Sequence, residues 1–107
     1  MRAAVALLRS ESRDVRAWSP SWPGDAHAGR VETSLQLALS PDRVALAHAR
    51  AGATEPLADL MPALRTGGVA AVSPNGVLGD PPGAGAAEGS RLLATALDDL
   101  CAWLGAE

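Results

Sequence analysis

Arg30–Leu39, RVETSLQLAL, decides how this chain folds, because it reads in two periods at once. Val31, Thr33, Leu35, Leu37 and Leu39 alternate as in a strand, while Leu35, Ala38 and Leu39 also share a helical face. The helix is the better reading. A strand here would follow another strand so closely that Gly24 to Gly29 would have to form a hairpin turn, for which they carry no signal. Ser40-Pro41 then supplies a helix stop. Upstream, Ala4, Leu7 and Leu8 with the charges from Arg9 to Asp14 have helical spacing, and Val15 and Ala17 alternating with Arg16 and Trp18 predict a strand. Pro20, Pro23 and Gly24 end that strand and make Ser19 to Ala28 a rigid loop, the usual carrier of functional side chains.

Downstream, Thr54 is placed to cap a helix in which Leu57, Leu60, Met61 and Leu64 fall at i, i+3, i+4 and i+7, with Pro62 limiting its regularity. Gly67-Gly68 closes it. Val69 to Val72 then reads as a short apolar strand, and Asn75-Gly76 as a tight turn with positive φ. The Gly-, Pro- and Ala-rich stretch Gly79 to Gly89 leads into a long amphipathic helix with the stripe Leu93, Leu97, Leu100 and Leu104. Strands alternating with helices imply a layered α/β domain. Two strands are too few for an independent sheet, so the sheet is expected to be incomplete.

Composition bounds the rest. A soluble chain of 107 residues, 48% hydrophobic with net charge −3, fits a single domain. It has no Phe, no Tyr and three Trp (Trp18, Trp22, Trp103), so its core must be built from Ala, Val and Leu and is expected to be thin enough to lean on a partner surface. All nine basic residues are Arg, a compositional bias to which no function attaches. Over the last 28 residues Asp80, Glu88, Asp98, Asp99 and Glu107 face one Arg91, which disfavours a nucleic-acid partner. Cys101 is the only cysteine, excluding an internal disulfide or a thiolate zinc cluster and pointing to a reducing cytoplasm. Arg9, Glu11 and Arg13 cut off the short apolar run of Met1 to Leu8, so neither a secretion signal nor a membrane span is expected there.

Asp25 to Ser34, DAHAGRVETS, concentrates the chemistry. His27 is a neutral imidazole donor or metal ligand, Asp25 and Glu32 are hard oxygen ligands, and Gly29 permits close backbone approach. If a helix begins near Gly29, Glu32 lies in its first turn, where the helix dipole favours an anion, and Thr33 and Ser34 are placed to hydrogen-bond ligands from behind. The same residues also fit a plainer role, with Asp25 as a cap, His27 as a surface imidazole and Glu32 as a solvated charge. Trp18 and Trp22 suit a pocket lining or the core equally. Asp80 suits a loop beside a pocket or a simple turn, His48 a solvated linker, and Cys101 the core beside the leucine stripe. No GxSxG or phosphate-cradling glycine loop is present.

DAHAGRVETS followed by LQLALSPDRV, DLMPALRTGGV and AVSPNGVLGDP with Glu88-Gly89 and Leu92-Leu93 resembles the creatininase family, and within it the mycofactocin-system peptidase branch. The likeness runs from about Ala4 to Leu104. It implies the C-terminal part of a layered α/β/α domain with few strands and a long last helix, residues 1–107 forming a partial domain whose N-terminal half, with most metal ligands, is absent. It implies a metal-dependent amide-bond hydrolase with a binuclear site of zinc and iron or manganese, acting on the modified C-terminal end of a small precursor peptide. Glu32 takes the place of the family's acidic metal ligand. His27 is the second candidate, as ligand or as proton donor to the leaving amine, and Asp25 the third. A ligand His expected two residues before the Glu is replaced here by Arg30, which is suited to a substrate carboxylate instead. The family's ring-like assemblies imply a homo-oligomer, or association with the missing half. The alternatives are an inactive fragment that binds or assembles, and a creatinine-type cyclic amidohydrolase.

Overall fold

The computed structural model describes residues 1–105. Four α-helices follow one another, α1 (Arg2–Ser10), α2 (Arg30–Leu39), α3 (Leu57–Val72) and α4 (Ala86–Gly105), with single 3-10 turns at Pro41–Arg43 and Leu46–His48. The chain divides into two compact units, Met1–Ser21 with Ala96–Glu107, and Trp22–Thr95.

In the first unit α1 ends where Ser12 takes a positive φ of 62°. Arg9 Nε then donates to the Val15 carbonyl at 2.9 Å, and the Arg16 guanidinium lies 4.6 Å from the centroid of the Trp103 ring, a cation–π contact. The strand expected around Val15 to Trp18 does not form, and the segment is irregular. Alternation only permits a strand; a neighbouring edge must accept its hydrogen bonds, and here a side chain takes the Val15 carbonyl.

In the second unit the competition within Arg30–Leu39 resolves to helix, as expected. Val31 and Ser34 form its buried face. Ser34 Oγ accepts from the Gly85 N–H at 3.1 Å, and Gly89 in the first turns of α4 sits so close to the Ser34 carbonyl that a Cβ there would overlap it. α3 begins after Pro56, so Thr54 is not its cap. Gly68, with φ 71° and ψ −175°, interrupts the helix where Gly67-Gly68 was expected to close it. The chain beyond is a further helical turn and not the expected strand Val69 to Val72: Ser73 N donates to Val69 O at 2.8 Å. A run of four residues with two alanines is a good helix former, and nothing beside it offers a ladder. Gly76 has the positive φ expected of the turn, 78°.

The layered α/β arrangement is therefore not seen, and among the described residues there is no strand. What stands in its place is an isolated antiparallel bridge between His27 and Leu78. On the other side of this segment Gly52 N donates to Gly79 O at 3.0 Å and Ala53 N to Val77 O at 3.1 Å. Asn75 ties the neighbourhood together, accepting from Ser73 Oγ at 2.8 Å and donating to Ala51 O at 3.0 Å. The core is as thin as composition implies: Val31, Leu78 and Ala84 are the buried hydrophobic side chains among the described residues. The α4 stripe is split, with Leu97 and Leu104 exposed and Leu93 and Leu100 half-buried, and Cys101 is exposed rather than in the core. No described helix is long and apolar enough to cross a membrane.

Candidate functional site

The site is built where the loop before α2 meets the Val77–Asp80 segment. His27 is clamped through its backbone: Leu78 N donates to His27 O at 2.9 Å, and His27 N and Ala26 N both donate to Leu78 O at 3.1 Å. Ala28 follows with φ 53°, the left-handed region that non-glycine residues rarely enter. That turn carries the chain into α2, whose N-cap, Gly29, has no side chain to satisfy the first amides.

Asp25 does so from outside the helix. Its Oδ2 accepts from the Arg30 N–H and, at 3.3 Å, from the Asp80 N–H. The carboxylate is wedged between Gly29 and Gly79, where a side chain at either position would run into it. Asp25 is thus a remote helix cap and a clasp between two loops. Asp25→Ala is expected to cost about 1–2 kcal/mol, the usual worth of a helix cap, and Asp25→Asn distinctly less; urea unfolding followed by circular dichroism measures both.

Glu32 lies in the first turn of α2. Its Oε2 accepts from the Ala28 N–H at 2.6 Å and lies 3.3 Å from His27 Nδ1. The two side chains are 60% and 47% exposed, so the pair contributes at most about 1 kcal/mol to folding. Arg30 Nε donates to both oxygens of Glu88, at 2.8 and 3.2 Å, so its charge is met within the chain. Asp80 is exposed and reaches Asp25 through its backbone only. Beside Glu32 opens a cleft of about 520 Å³ lined by Trp22, Asp25, Val31, Glu55, Leu57 and Leu78 among others. Trp18 does not line it.

Of the three expected metal donors, then, His27 and Glu32 come together and Asp25 is turned to backbone amides. Zinc accepts His nitrogen and carboxylate oxygen at about 2.0–2.2 Å, and a catalytic site takes about three protein ligands. Atoms 3.3 Å apart are near enough to share one ion. Yet no group of three or more His, Cys, Asp or Glu able to hold a metal occurs among the described residues. These residues fit a metal as two donors of a larger shell.

Ala28 had no signal in the sequence, since it acts through its backbone N–H, which any residue but proline carries. Glu88 stood in a motif that carried the resemblance, but its pairing with Arg30 spans 58 residues and no local pattern announces it.

A family model described as creatinine amidohydrolase matches residues 1–104. The chain belongs to the creatininase family. Its relatives include the mycofactocin precursor peptide peptidase of Mycobacterium ulcerans (strain Agy99), 54% identical over 101 residues, 92% of this chain and 40% of that protein. The protein of the same name in Mycolicibacterium smegmatis is 57% identical over 96 residues, 88% of this chain and 38% of its own. That of Mycobacterium tuberculosis (strain ATCC 25618 / H37Rv) is 55% identical over 98 residues, 90% and 39%. This creatininase-family chain thus spans about 40% of the length of the curated relatives it matches. No solved structure matches it.

Proposed function

We propose that this chain supplies part of the active site of a metal-dependent amide-bond hydrolase, a peptidase that trims the modified C-terminal end of the mycofactocin precursor peptide. The observation that carries the reading is the His27–Glu32 pair at the start of α2, 3.3 Å apart, in a chain about 55% identical to peptidases of that name. Metal dependence comes from the family. A shell of three or more donors is not formed by the described residues alone. For this chain's share, Glu32 Oε1 and both ring nitrogens of His27 are without a hydrogen-bond partner.

A divalent metal supplies an acidified water and positive charge for the developing oxyanion. Water adds across the amide, hydroxyl to the acyl carbon and proton to the departing nitrogen. His27 serves the reaction in one of two ways, as a ligand or, off the metal, by taking a proton from the attacking water and passing it to the departing nitrogen as the C–N bond breaks, because an amide nitrogen leaves as a neutral amine only when protonated. The cleft beside Glu32 is of a size that holds small ligands and peptide side chains, with Trp22 and Leu57 as apolar wall.

The test is a chimera in which this chain replaces the matching segment of the M. smegmatis peptidase. Cleavage of the modified precursor peptide, lost on chelation and restored by a divalent metal, is the expected result. A folded chimera that leaves the peptide intact, beside an active parent, refutes the reading.

A further inference from the structure

Helix α3 is apolar and has no core to face. Of its 16 residues, LADLMPALRTGGVAAV, only Asp59 and Arg65 are charged, yet none of the 16 is buried. The stripe Leu57, Leu60, Met61 and Leu64, spaced to meet a core, is exposed at Leu57 and half-buried at the other three. Beyond Gly68, Val69 is 41% exposed, and Ala70 and Ala71 are exposed as well. A side chain added at Gly68 would meet nothing within 4 Å, so the surface is open there. Single exposed apolar residues are ordinary, whereas a run of them along one helix marks a surface made for contact. The buried hydrophobic side chains among the described residues, Val31, Leu78 and Ala84, all lie outside α3, in α2 and in the loops before α4.

What covers α3 follows from lengths. The chain matches its relatives over nearly its whole length, yet it spans about 40% of theirs. The larger part of each relative has no counterpart here. We infer that the α3 face from Leu57 to Ala71 is the seat of that larger part of a creatininase-family domain. The occupant must itself be apolar at the contact, because polar groups pressed against this helix would lose water and find few partners. The seat also adjoins the site: Leu57, at the start of α3, and Glu32 line the same cleft. A body on α3 therefore stands beside Glu32, where it is placed to add donors to the two that this chain holds. The donor half of this statement rests on the amide-hydrolase reading above, and the docking half does not.

The chimera with the M. smegmatis peptidase supplies the larger part, and the 107-residue chain by itself does not. Val69→Cys is introduced into both, and the reaction of its thiol with a maleimide is timed by peptide-resolved mass spectrometry. In the chain this thiol is expected to react about as fast as the exposed Cys101. In the chimera it is expected to react at least about tenfold more slowly, since a covered thiol reacts only through local opening. Val69→Asp is the second variant. In the chain its melting temperature should stay within about 2 °C of the parent, as for other surface changes. In the chimera it should fall by about 5 °C or more, because a carboxylate is then buried without a partner. Equal labelling in the chain and the folded chimera overturns the proposal, as does Val69→Asp without effect on the chimera. A chimera that fails to fold beside a parent that folds also overturns it, since the face then does not fit. Labelling of the chain alone that slows as its concentration rises, with a doubled mass in sedimentation, gives the face to a second copy and overturns it too. A covered face in a chimera that leaves the peptide intact removes the hydrolase reading and keeps the docking face; an active chimera with an open face does the reverse.

Discussion

His27→Ala is expected to lower kcat for precursor-peptide cleavage by about 10²–10⁴-fold, the usual worth of a positioned acid or base. KM should change little, because under the proposed mechanism the imidazole would act in proton transfer in the transition state and not in grip on the peptide. The fold should survive. The His27 side chain is 60% exposed, and its structural service is rendered by its backbone, which alanine retains. Thermal unfolding of the variant is therefore expected within about 0.5 kcal/mol of the parent. The measurement is steady-state kinetics of the chimera carrying each version. Turnover within a few-fold of the parent would take His27 out of the chemistry, and a large rise in KM with kcat unchanged would make it a binding residue.

The largest effect on folding is expected from Gly89→Ala. In an exposed helix interior that change would stabilise by about 1 kcal/mol. Here the sign reverses. Gly89 is buried against α2, a Cβ on it would overlap the Ser34 carbonyl, and it would come within 2.9 Å of the Ala38 Cβ. The obstacle is helix backbone, which cannot swing aside as a side chain does, so α2 must shift as a body. Overpacking of this kind costs about 1–3 kcal/mol. Such a shift would also move Ser34, which is fully buried and accepts the Gly85 N–H. With so small an apolar core to absorb the change, a melting temperature lower by roughly 10 °C is expected, by the usual scaling for domains of this size. Gly85→Ala is the control: nothing lies within 4 Å of a Cβ there, and the melting temperature should hold or rise slightly. Equal melting temperatures for the two variants would show that α2 and α4 do not meet at Gly89.

Much of the fold was legible along the chain because its helices are settled by local terms. The spacing Ala4, Leu7, Leu8 marks α1, the Ser40-Pro41 stop ends α2, and the leucine stripe marks α4. These depend on residues a few positions apart, which a linear reading sees. The two expected strands failed for the opposite reason. Val15 to Trp18 and Val69 to Val72 have the right residue types, but a strand is defined by a partner edge, and whether one is present is a property of the rest of the molecule.

The site divides along the same line. The sequence by itself determined the proximity: DAHAGRVETS brings His27 and Glu32 within one turn of a helix start, and closeness along the chain makes their contact nearly automatic once α2 forms. It also determined the family, since the motifs run in order through 104 residues. Only the tertiary structure decided the roles. Asp25 became a clasp because Asp80, 55 residues away, brought its amide to the same oxygen. Arg30 met Glu88 across the α2–α4 junction. His27 acquired a fixed backbone from Leu78, and Ala28 its positive φ, from a bridge that no local pattern announces. Residue type sets what a side chain is able to do. The partners that arrive from distant parts of the chain set which of those capacities is left for function.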